Sequence, residues 1–159
     1  MFGSRVLALG AMLAMMTFNL AQAANDLVTK QSPHSFEMTL SRLEAAAKDN
    51  GLTVFTRLDH AAAAKSVGLE MPPATVLVVG SPKGGTPLFL QQPTLAIDLP
   101  LKMLVWQDKT GKVFVGYGDA AFMSAVFARH GFEAESEKMR AAAKGLGDRL
   151  EATAAAAVK

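Results

Sequence analysis

The segment TVLVVGSPKGGTPLFLQQPTLAIDLPLKMLVWQDKTGKVFVGY, Thr75 to Tyr117, decides how this chain folds. Thr75 to Val79 is an unbroken apolar run and reads as an interior strand. Ser81 to Pro87 holds too much glycine and proline for a core element. Gly84 and Gly85 permit backbone angles closed to other residues, and Thr86-Pro87 offers an N-cap followed by the favoured first helical residue. The pattern therefore predicts a loop to Thr86, a helix of about two turns from Pro87 to Gln91 closed by Pro93, and an irregular connection from Thr94 to Pro100. Leu101 to Gln107 and Lys112 to Tyr117 are strand-like, and Asp108-Lys109-Thr110-Gly111 joins them as a hairpin with Gly111 in the left-handed position.

Upstream, Leu27 to Gln31 is a short β-prone segment, expected at a sheet edge, that ends at Ser32-Pro33. Ser35 can cap a helix carrying Glu37 in its first turn, with Phe36, Leu40, Leu43 and Ala47 at helical spacing and Gly51 placed for a left-handed stop. Leu52 to Leu58 alternates, so Leu52, Val54, Thr56 and Leu58 are expected on one buried face. Asp59 can cap a short alanine turn from Ala61 to Val67, ended by Gly68, and Met71-Pro72-Pro73 forces a crossover. Downstream, Asp119 caps a helix whose apolar face is Phe122, Met123, Val126, Phe127 and His130, with Gly131 at its end. A last helix begins near Ser136 and carries Met139, Ala143, Leu146 and Leu150. Gly145 and Gly147 weaken its middle by about 1 kcal/mol each relative to alanine, and its alanine-rich end is expected to fray.

Half of the 159 residues are hydrophobic, which fits one ordinary domain. Residues 1–23 read as a signal peptide: Arg5, an apolar run from Val6 to Leu20, and Ala21-Gln22-Ala23 as the cleavage signal. The run is shorter than the ~20 residues that span a bilayer, so cleavage after Ala23, a periplasmic or secreted location and no membrane attachment afterwards are expected. Removing those 23 of 159 residues takes away one arginine and no acid, leaving 136 residues and lowering the net charge from +2 to +1. No basic block remains of the kind that neutralises phosphates, which argues against a nucleic-acid partner. The absence of cysteine excludes disulfides, thiolate metal sites and a cysteine nucleophile. The methionines left after cleavage are scattered and read as core fillers.

Polar groups that could bind or react fall at strand ends. Ser81-Pro82-Lys83-Gly84-Gly85-Thr86 resembles an anion cradle, with free N–H groups, a helix N-terminus and one lysine. Lys83 precedes the glycines, so it is not a nucleotide-triphosphate loop; the plain alternative is a tight turn with a solvated lysine. Asp59-His60 could orient an imidazole, although capping already accounts for Asp59. No histidine spacing typical of metal sites occurs, and no cofactor is implied. Asp98, between Ile97 and Leu99, needs a partner, for which Lys102 and Lys83 are the candidates. No serine has an evident base. Trp106, Phe114 and Tyr117 read as core residues rather than a stacking platform.

Several stretches together resemble the domain-of-unknown-function family 302 (DUF 302), from about Phe36 to Asp119. They are Asp59-His60, Gly68-Leu69, Gly80 followed by Pro82-Lys83 and Gly85-Thr86-Pro87-Leu88, Asp98-Leu99-Pro100-Leu101, and Trp106 before Gly111-Lys112. Family members more usually have Asn where Ser81 stands and often Met where Phe89 stands. The resemblance implies an α+β domain over residues 24–159: a curved antiparallel sheet of about five strands backed by helices, in the TATA-binding-protein-like β-α-β4-α order, with a C-terminal helical extension from about residue 120 and sometimes a homodimer. It carries over no catalytic residue and implies no DNA binding. The expected function is a small-ligand-binding or accessory module without catalysis, its site formed by Asp59, His60, Lys83, Gly84, Gly85, Thr86 and Asp98 meeting around a small ligand or anion. The alternatives are an enzyme with His60 as general base, oriented by Asp59 or Asp98, and a dimeric structural module.

Overall fold

A computed structural model describes residues 27–159; the expected signal segment lies outside the described residues. Strands β1 (Leu27–Ser32), β2 (Thr53–Asp59), β3 (Ala74–Gly80), β4 (Leu101–Gln107) and β5 (Val113–Gly118) form one antiparallel sheet in the order β1-β5-β4-β3-β2. Alternation puts Leu77, Val79, Met103, Val105, Val115 and Tyr117 on one buried face. Three helices cover that face: α1 (Phe36–Asp49), α4 (Ala120–Arg129) and α5 (Glu137–Ala157). The two others, α2 (His60–Ser66) and α3 (Pro82–Gln91), lie in the crossovers on either side of β3 and bury no residue completely. The result is the expected α+β class and strand-helix-four-strand-helix order.

The local signals act where the sequence places them. Ser35, Asp59, Asp119 and Ser136 each accept a hydrogen bond from the backbone N–H three residues on, capping α1, α2, α4 and α5. Gly51, Gly68, Gly111 and Gly131 all have positive φ, and Gly111 closes the β4–β5 hairpin, where the Asp108 carboxylate accepts from the Thr110 and Lys112 N–H groups.

Four expectations are corrected. The loop from Ser81 to Thr86 is helical: α3 starts at Pro82, five residues early, with Ser81 as its N-cap and Pro87 inside the helix. Pro87 removes the helical partner of the Lys83 carbonyl, at an exposed position. The connection after α3 is ordered by a 3-10 turn, Pro93–Ile97, that buries Leu95. In β2 the register shifts between Val54 and Thr56. A bulge flips the alternation, so Leu52 is buried while Phe55 is 50% and Leu58 46% exposed. The alanine-rich end of α5 is packed: Ala154 and Ala157 are fully buried, and the Arg42 side chain donates to the carbonyls of Ala156 and Ala157 at 3.2 Å. The helices beyond residue 120 are thus part of the core, with Phe127 and Leu150 at its centre.

Trp106 and Phe114 stand on the opposite sheet face from Tyr117. Their rings stack at 5.2 Å, and both are half-buried beside Val76, Val78 and Leu104.

These backbone angles separate the glycines by test. Gly51, at φ +71° with nothing near a built Cβ, is expected to lose more than about 1 kcal/mol as Gly51→Ala from conformation alone. Gly85 has no positive φ, and its Cβ would meet Phe89 at 3.3 Å; Gly85→Ala is expected to stay within about 1 kcal/mol of wild type, helix propensity offsetting the contact. Urea titration of both variants reads the difference.

Candidate functional site

Where β3 ends and β4 begins, α3 and α5 face each other across a groove of about 350 Å³. Leu88 and Phe89 of α3, Phe55 from the β2 bulge, Leu99 and Leu146 make its apolar walls. Ala141, Ala142 and Gly145 leave the α5 wall low. Arg149 is the charged residue of the lining, and among the described residues its guanidinium has no ion-pair partner. The close fit of Gly80 forms the floor: a Cβ there would stand 3.1 Å from Pro100 and 3.2 Å from Phe55.

Of the residues expected to form a site, Gly84 and Gly85 line this groove and the rest do not. Their N–H groups are not free for an anion, since both donate to the Ser81 carbonyl, at 3.0 and 2.8 Å, as the first turn of α3. Lys83 and Thr86 are exposed. Asp59 and His60 lie at the other end of β3: Asp59 pairs with Thr75, five residues from Gly80, which is about 17 Å of strand. The Asp59 carboxylate is engaged by the Ala62 N–H at 2.9 Å. His60 is exposed and has no hydrogen-bonded carboxylate among the described residues, so the oriented imidazole that a general base requires is not assembled there.

Asp98 finds a partner the sequence did not suggest. Neither Lys102 nor Lys83 bonds it; instead Arg129 Nη1 donates to both carboxylate oxygens at 3.1 and 3.0 Å, and His130 Nε2 lies 2.7 Å from Oδ2. His130 is 9% exposed at the end of α4, and its Nδ1 is 2.9 Å from the Thr94 hydroxyl. With Nε2–H donating to Asp98, a neutral ring accepts from Thr94. The hydrogen bond from His130, opposed by desolvation and reinforced by the charge of Arg129, holds the Asp98 carboxyl below its ordinary range. This network ties the Pro93–Ile97 turn to α4. The sequence signal for it was the lone carboxylate in an apolar run together with a histidine on an apolar helix face.

A second polar network sits on the other flank of the core. The Tyr117 hydroxyl donates to Glu151, which pairs with Lys30 at 2.8 Å. Burial first, then Glu151, pushes the Tyr117 hydroxyl up, while the hydrogen bonds of Lys30 and Tyr117 hold the Glu151 carboxyl down. Among the described residues no group of three or more His, Asp or Glu stands together to hold a metal, and no helix is long and apolar enough to cross a membrane.

The Asp98 network has a defined pH signature. A carboxyl held low when folded stabilises above its unfolded value, about 3.9, and that stabilisation fades as pH falls through the folded value. Asp98→Asn is expected to lower the urea midpoint at pH 7, and its gap to wild type is expected to narrow as the pH is lowered below about 3.9. His130→Ala, which leaves Asp98 and Thr94 without their ring partner, is expected to cost about 1–3 kcal/mol at pH 7.

Comparison with known proteins places this geometry in a family. A crystal structure of an uncharacterized conserved protein DUF302 from Bacillus stearothermophilus superposes with a TM-score of 0.71 at 19% identity, covering 86% of this chain and 100% of that one. Proteins named Fluoride-specific ion channel FluC 1 from Brucella suis biovar 1 (strain 1330) and from Brucella abortus biovar 1 (strain 9-941) are each 43% identical over 98 residues, 62% of this chain. The match spans 39% and 36% of the length of those two relatives. The family profile described as Domain of unknown function DUF302 matches residues 28–153, so the chain belongs to that family.

Proposed function

We propose that this domain is a small-ligand-binding or accessory module whose ligand lies in the groove between α3 and α5. The observation that carries the reading is the groove itself, an apolar cleft with a few polar groups, of the size that small-molecule sites have. Val6 to Leu20 and the Ala21-Gln22-Ala23 signal support export to the periplasm or beyond.

Nile red, a neutral apolar dye, tests the site. It is expected to brighten on wild type and to be displaced by competing apolar ligands. Gly145→Leu is expected to abolish the signal without unfolding the protein, because a Cβ at Gly145 meets nothing within 4 Å and leucine favours a helix over glycine by roughly 0.8 kcal/mol. An undiminished signal in that variant would sink the proposal.

The Brucella relatives support the accessory half. In them a segment similar to this chain takes up under two fifths of a protein named as a fluoride-specific ion channel. Fluoride is small and strongly hydrated, so an apolar groove is a poor receptor for it; on this reading the module accompanies transport rather than holding the ion. Sodium fluoride is expected to move the melting temperature no more than sodium chloride does. A fluoride-specific shift would replace the apolar-ligand reading with anion binding.

A further inference from the structure

Two glycines sit close together in α5, and only one has a steric reason. A Cβ at Gly147 would lie 2.8 Å from the Ala120 nitrogen, whereas a Cβ at Gly145 meets nothing within 4 Å. Gly145 nonetheless weakens α5 relative to alanine. What it provides is room. Ala141, Ala142, Gly145 and Arg149 line the groove together, and three- and four-residue steps put them on one stripe of the helix. The stripe therefore runs from small side chains to a cation.

That cation is uncompensated. On the same helix Lys144 pairs with Asp148 and Arg140 with Glu135, but among the described residues Arg149 pairs with no acid. A guanidinium at the rim of an apolar groove complements a ligand with one anionic head and an apolar tail. A neutral apolar ligand would gain nothing from Arg149, and a compact inorganic anion would gain nothing from Phe89, Leu88 or Leu146. We infer that the groove takes a small amphipathic carboxylate, of the medium-chain fatty-acid type, with its head on Arg149 and its tail along the Gly145 stripe against α3. The inference rests on the groove reading above and adds to it the charge of the ligand.

Octanoate and octan-1-ol, which share a chain and differ in the head, separate the two claims by isothermal titration at pH 7.5. Octanoate is expected to bind wild type roughly 10-fold tighter or more, the worth of one charge-assisted hydrogen bond. In Arg149→Gln that ratio is expected to fall towards one, and in Gly145→Leu both ligands are expected to lose binding, with thermal melts confirming that each variant is folded. Equal affinities in wild type, both lost in Gly145→Leu, would overturn the carboxylate assignment and keep the groove. Octanoate binding that survives Gly145→Leu, or binding of neither ligand to wild type, would overturn both.

Discussion

Gly147 lets α5 lie directly on the start of α4, backbone against backbone, with no side chain between them. The position of α5 decides most of what surrounds it. Its C-terminal half is thereby laid across the inner sheet face, where Leu150, Ala154 and Ala157 are buried and Arg42 of α1 takes the last carbonyls. Those carbonyls would otherwise be unsatisfied at the helix end. Its N-terminal half overhangs the junction of β3 and β4, and the space left between it and α3 is the groove. Any side chain at Gly147 would push against the Ala120 backbone, which cannot yield as a flexible side chain can, and would shift both halves together.

The cover is one-sided, and polar networks fix its margins. On one flank the Asp98, His130, Arg129 and Thr94 cluster fastens the end of α4 to the turn that precedes β4. On the other, Tyr117, Glu151 and Lys30 join β5, α5 and β1. Both networks sit where apolar packing runs out. A buried imidazole or phenol there would destabilise the fold without its partner, so each has one. Among the described residues the outer face of the sheet has no comparable helix, and the stacked pair Trp106 and Phe114 shields it in part.

Capping and turn chemistry were legible because they are local. Ser35, Asp59, Asp119 and Ser136 each act on a backbone N–H three residues away, and a positive φ at Gly51 or Gly111 depends on little beyond the adjoining turn. The same local rules point to Thr86-Pro87 as the start of α3, whereas Ser81-Pro82, which has the same N-cap and N1 residue types, is the start used. The β2 bulge was hidden for a related reason: an unbroken alternation from Leu52 to Leu58 carries no mark of the extra residue. Most of the residues expected at the site lie apart from the groove because residues able to do chemistry are also residues that cap and pin. Asp59 is a cap and Asp98 a clamp. The groove is lined mainly by Gly, Ala, Leu and Phe, which have no signature until two distant helices face each other.

The α3 wall of the groove is poorly able to form alone, because it contains Gly84, Gly85 and an interior Pro87, whereas the α5 wall is a 21-residue, alanine-rich helix interrupted by Gly145 and Gly147. On intrinsic propensity these residues cost about 1 kcal/mol for each glycine and about 3 for the proline. α3 is therefore held by Leu88 and Phe89, which pack against the core while also walling the groove, and α5 by Met139, Ala143 and Leu150 in the core. On the groove reading proposed above, a ligand bridging the two walls would stabilise the folded groove by RT ln(1 + [L]/Kd). The low intrinsic propensity of α3 beside the groove and the tight packing beneath it are thus two aspects of one arrangement, in which the buried inner face, not the helix itself, holds the groove wall in place.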